Sequence, residues 1–121
     1  MAFIVKKTTE PRIVNGWPVI VPTSIDGGKV REDEILVSYQ VLAQGDVDAI
    51  VQSALASGKN ADASILRSTV KDISGLVDEG NAPIQFGQEV LDGLLDQVNV
   101  RVAMAASYFD VASGRKAARK N

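Results

Sequence analysis

"ILVSYQVLAQGDVDAIVQSAL", residues 35–55, changes its period halfway along. In the first half Ile35, Val37, Tyr39 and Val41 alternate with Leu36, Ser38, Gln40 and Leu42, the period of two that a strand requires. From Gly45 the spacing becomes three and four. Val47, Ile50, Val51, Ala54 and Leu55 then share one helical face, and Asp46 suits the positive N-terminal end of that helix. The switch divides a single 121-residue domain into a β-rich part, 1–44, and a helical part, 45–121.

Toward the N-terminus, Val19–Ile25 is a second strand. Asp26-Gly27-Gly28-Lys29 forms the reversal between the two, since glycine supplies the positive φ of a tight hairpin. Asn15-Gly16 reads as a further turn, leading back to a shorter strand near Arg12–Val14. Pro18 and Pro22 lack amide donors and place their strand at a sheet edge or make it irregular. Trp17 reads as a packing residue of this hairpin.

Toward the C-terminus, Ser57-Gly58-Lys59-Asn60 ends the first helix. Ile65, Leu66, Thr69, Val70, Ile73, Leu76 and Val77 predict a second, stopped by Gly80-Asn81 and kept from resuming by Pro83. Val90, Leu91, Leu94, Leu95 and Val98 predict a third. Asn99 is placed to cap a fourth, with the stripe Val102, Ala105, Ala106 and Phe109. The expected fold is therefore α+β: an N-terminal β-hairpin or three-stranded sheet followed by a bundle of about four α-helices.

Composition narrows the chemistry. Hydrophobic residues make up 45% of the chain and charged residues 23%, as in a globular protein, and the 5% of aromatics implies a mainly aliphatic core. The chain has neither cysteine nor histidine, which excludes disulfides, thiolate metal sites and the commonest general base at neutral pH. The apolar run Met1–Val5 is too short for a signal peptide, and no apolar span reaches membrane length. Ser68-Thr-Val-Lys71 matches a serine–lysine pattern but lacks the accessory elements of such hydrolases. Glu89, Asp92 and Asp96 share a side of the third helix without the loop that a hard cation needs, and Gly27-Gly28-Lys29 is too short for a phosphate cradle. No catalytic, cofactor or metal residues are assigned, and a non-enzymatic role is expected.

Charge is unevenly placed. Residues 46–97 are acidic, whereas 98–121 hold Arg101, Arg115, Lys116, Arg119 and Lys120 against Asp110 alone. Contact between unlike surfaces of two copies would give a homo-oligomer. Four tail cations without interleaved aromatics make a small footprint for nucleic acid, so nucleic-acid binding through the tail ranks below protein binding.

The order from Gly75 onward carries a resemblance. Gly75-Leu-Val-Asp-Glu-Gly-Asn-Ala-Pro-Ile-Gln-Phe86 is followed by an acidic apolar helix ending near Leu95. A last helix with Ala-Ala-Ser-Tyr108-Phe109 comes next, then Gly114-Arg-Lys and Lys120-Asn121. This resembles the tail assembly chaperones of long-tailed (siphovirus-type) bacteriophages, loosely over residues 30–121 and best over 70–121. The chain departs from the pattern at Ile73-Ser74, where a tryptophan is common, and at Gly87, where Ser or Thr is usual.

The resemblance implies a protein that coats the phage tape-measure protein, keeps it soluble and helps recruit tail-tube subunits. It implies action in the host cytoplasm and absence from the mature virion. It also implies a longer, frameshift-extended form contacting the tail-tube (major tail) protein, with the junction in the terminal run at Lys120-Asn121. Gly80, Pro83 and Phe86 are the structural candidates, closing a helical hairpin. Tyr108, Phe109, Arg115 and Lys116 are the candidate partner contacts. The alternative is a structural minor tail or head-completion protein retained in the virion.

Overall fold

A computed structural model describes residues 1–5 and 10–118. The strands β1 (Arg12–Ile25), β2 (Lys29–Val41) and β3 (Val70–Ser74) form an antiparallel sheet in the order β1-β2-β3. Four helices complete the α+β fold: α1 (Gln44–Ala56), α2 (Ala61–Thr69), α3 (Gln88–Leu95) and α4 (Val98–Ser113). The change of period at residues 41–45 is where β2 gives way to α1.

β1 and β2 are joined at Asp26–Gly28, where Gly27 and Gly28 take φ of 77° and 76°. Those angles are strained for residues with a Cβ, so the expected glycine reversal is in place. Asn15-Gly16 is not a reversal. β1 runs unbroken through it, and the register slips by one residue between Val14↔Tyr39 and Trp17↔Val37. The extra residue is a β-bulge with Gly16 at φ 61°, whose N–H donates to Ser38 Oγ at 3.1 Å.

The helix expected over Ile65–Val77 is shorter than its pattern suggests. It stops at Thr69, and Val70–Ser74 leaves it to become β3 beside β2. Val70 and Ile73 are both buried at a helix-like spacing of three because β3 also carries a bulge, between Tyr39↔Val70 and Ser38↔Asp72. Thr69, Val70 and Ile73 are β-branched and favour the pleated surface. The Thr69 hydroxyl turns back to donate to the Ile65 carbonyl at 2.9 Å, a bond that competes with helix propagation.

The segment 75–86 consequently joins a strand to a helix rather than two helices. Gly75, at φ 89°, turns out of β3 where an added Cβ would sit 3.6 Å from the Glu34 carbonyl. Leu76–Ile84 doubles back as a small hairpin, with Val77 bridged to Pro83 and the Ile84 N–H bonded to the Leu76 carbonyl. Asp78 organises its tip: one carboxylate oxygen accepts from the N–H groups of Gly80 and Ala82. Asn81, at φ 62°, takes the left-handed position beside Gly80.

Phe86 is half-buried against the core. Phe86→Ala is expected to destabilise by about 1–3 kcal/mol, below the ~3–5 of a fully buried ring. Thermal unfolding checks it; an unchanged melting temperature would place the ring outside the core.

The core lies between the sheet and the helices. Val19, Val21, Ile35, Val37, Tyr39, Val70 and Ile73 meet Ile65 and Leu66 of α2, Leu91 and Leu95 of α3, and Val100, Met104, Tyr108 and Val111 of α4. α4 lies along β1, and α2 packs against both α1 and α4. Local caps match local sequence: the Asn60 side chain accepts the Ala63 N–H at 2.9 Å to start α2. Gly114, at φ 74°, ends α4 in the left-handed conformation, with the Arg115 N–H returning to the Asp110 carbonyl.

Candidate binding groove

α4 has apolar residues on more than one flank. Val100, Met104, Ala105, Tyr108 and Val111 turn into the core, a different face from the expected stripe of Val102, Ala105, Ala106 and Phe109. Of that stripe only Ala105 is buried. Val98, Val102 and Ala106, one helical turn apart, instead line an open groove against β1. The wall opposite is Trp17, Pro18, Val19, Ile20 and Pro22, and the space between holds about 670 Å³. A helix that is apolar beyond its core-facing stripe calls for a second partner surface.

Polar contacts mark the two ends of the groove. Asn99 does not cap α4; the N-cap position is Gln97, which makes no side-chain cap bond. The Asn99 amide instead donates to the Pro22 carbonyl at 2.9 Å and lies 3.2 Å from Thr23 Oγ1. This clamps the start of α4 to β1. Toward the other end Asp110 lines the groove, with Arg115 Nη1 3.7 Å from its carboxylate.

From behind, two tyrosines fix the helix. The Tyr39 hydroxyl donates to the Met104 carbonyl at 3.0 Å and lies 3.2 Å from Ser107 Oγ. The Tyr108 hydroxyl accepts the Leu42 N–H at 3.1 Å, and the two rings meet edge to face at 5.7 Å. Burial pushes the Tyr39 phenol far above its ordinary range, with the Ser107 hydrogen bond only partly opposing it. It therefore stays protonated and available as a donor.

The candidate contact residues separate. Tyr108 is buried in the core and serves the fold rather than a partner. Phe109 is 44% exposed, edge-on to Tyr108, but outside the groove lining. Arg115 and Lys116 are exposed past the end of α4, with Arg115 reaching the groove margin through Asp110. Gly80, Pro83 and Phe86 belong to the 75–86 connection and not to the groove. The expected junction at Lys120-Asn121 lies outside the described residues.

The other chemical candidates disperse. Ser68 ends α2 while Lys71 stands on β3, so the two do not share a helical face. Asp92 accepts hydrogen bonds from Arg67 and Gln88, and the Arg67 bond holds its carboxyl below the usual range. Among the described residues no three acidic side chains converge to hold a metal ion. No described helix is long and apolar enough to cross a membrane. Trp17 packs against the core as expected and in addition forms part of the groove wall. Comparison with protein-family models, curated proteins and solved structures gave no match.

Proposed function

We propose that this protein is a non-enzymatic bacteriophage tail assembly chaperone whose β1–α4 groove holds apolar segments of the tape-measure protein. The observation that carries the reading is the groove itself, an extended apolar trough between strand β1 and helix α4. Such a surface suits the apolar face of a helix laid lengthwise, with side chains at helical spacing as anchors. Holding that face covered keeps a long helical client from aggregating until the tail-tube subunits arrive. The chemistry required is adhesion and release. A frameshift-extended form would add the tail-tube contact while leaving the groove unchanged.

Co-expression with the phage tape-measure protein tests this. The client is expected in the soluble fraction, co-purifying with the chain, and the chain is expected to be missing from purified particles. A tape-measure protein that stays insoluble beside abundant chaperone overturns the reading. Recovery of the chain in finished particles would favour a structural tail component instead.

A further inference from the structure

Residues Met1–Val5 are an apolar segment that the fold leaves uncovered: Phe3, Ile4 and Val5 are 91, 80 and 85% exposed. The same molecule has an apolar groove between β1 and α4, to whose lining Ala118, beyond the end of α4, also contributes. We infer that, in the client-free protein, Phe3-Ile4-Val5 of a second copy occupies the β1–α4 groove, as a placeholder that the client displaces. This rests on reading the groove as a site for apolar segments.

Three features match segment to groove. The α4 lining runs from Val98 to Asp110, about 18 Å at the rise of a helix, which accommodates the roughly 10 Å of Phe3-Ile4-Val5 in extended form. The segment is apolar, and so is most of the groove lining, from Pro18, Val19, Ile20 and Pro22 on β1 to Val98, Val102 and Ala106 on α4. Docking through side chains rather than by strand addition fits the wall, because Pro18 and Pro22 remove two amide donors from β1, an edge strand of the sheet. Segment and groove are different surfaces, so each copy offers one of each, and the contact propagates into rings or open chains. Apolar residues supply most of it, so the assemblies persist at raised salt, unlike ones held by the acidic and basic halves.

Trans-complementation tests the inference. Phe3→Ser/Ile4→Ser keeps the groove and spoils the segment; Val102→Asp keeps the segment and spoils the groove. Light scattering is expected to show concentration-dependent oligomers for the native chain, monomers for each variant alone, and a heterodimer when the variants are mixed. Trp17, the one tryptophan of the chain, lines the groove, and its emission should shift to the blue in the native oligomer and in the mixture. A native monomer at every concentration overturns the inference. So do oligomers that persist in both variants, or a blue-shifted native monomer, which would put the segment in its own groove. Capture of the tape-measure protein by the Phe3→Ser/Ile4→Ser variant reads the groove independently. If capture survives while complementation fails, only the placeholder is wrong; if complementation holds while capture fails, only the client is.

Discussion

Replacing Tyr39 with alanine is expected to remove about 3–5 kcal/mol of stability, the cost of emptying a large core site. Against a total of about 5–15 kcal/mol for an ordinary domain, that leaves a partly unfolded population at physiological temperature. The expectation follows from position. Tyr39 is fully buried, pairs with Val14 of β1 on one side and Val70 of β3 on the other, and reaches α4 through Met104. Both bulges of the sheet fall beside it, so its ring fills the place where three strands and a helix converge. Tyr39→Phe keeps the ring and loses the hydroxyl contacts, and is expected to cost about 1 kcal/mol. Urea unfolding followed by circular dichroism distinguishes the two. A Tyr39→Ala protein as stable as the native one would mean that β2 does not pack beneath α4.

The same bulges explain what the sequence concealed. A strand is legible when its inward-facing residues alternate, as buried Ile35, Val37 and Tyr39 and half-buried Val41 do. A bulge adds one residue between two inward positions and turns a spacing of two into three. Val70 and Ile73 thereby acquire a helical interval directly after a real helix, and the pattern runs from α2 into β3 without a visible seam. Val14 and Trp17 show the same interval, where Asn15-Gly16 imitates a reversal. The hairpin at Asp26–Gly28 was legible because positive φ demands glycine, a local requirement that no distant contact alters. β3 was not, because its pairing with β2, which sets Ser38 opposite Asp72, a residue 34 positions away, is a tertiary choice.

The groove was legible only in part. Pro18 and Pro22 stood out as features of an edge or irregular strand, Trp17 as a packing residue of the hairpin, and the last helix by its apolar stripe. None of these states that β1 and α4 are neighbours, and the expected α4 stripe chose the wrong flank. The available signal was that Val98, Val102 and Ala106 form a second apolar row beside the first. Asn99 misled for a related reason: its position suited a cap, yet its amide serves the β1 backbone, a use visible only once the two elements meet.

Val102→Asp is expected to weaken client binding about 100-fold, or ~3 kcal/mol, with little change in folding stability. Val102 is 55% exposed in the free protein, so its replacement falls among surface substitutions, which change stability by about 0.5 kcal/mol. Binding alters the position. Val102 stands in the middle of the row formed with Val98 and Ala106, and an apolar segment laid in the groove removes it from water. A carboxylate there would lose its hydration without gaining a partner: Asn99 is engaged by Pro22 and Thr23, and Arg115 faces Asp110. Central anchors in an interface carry most of its energy, which sets the size of the loss. Val77→Asp supplies the control, since Val77 is 52% exposed but lies in the 75–86 connection, away from the groove. Anisotropy of a labelled tape-measure segment is the measurement. Equal affinity for the two variants would move the client off the groove, leaving the exposed Phe109 face of α4 as the next surface to change.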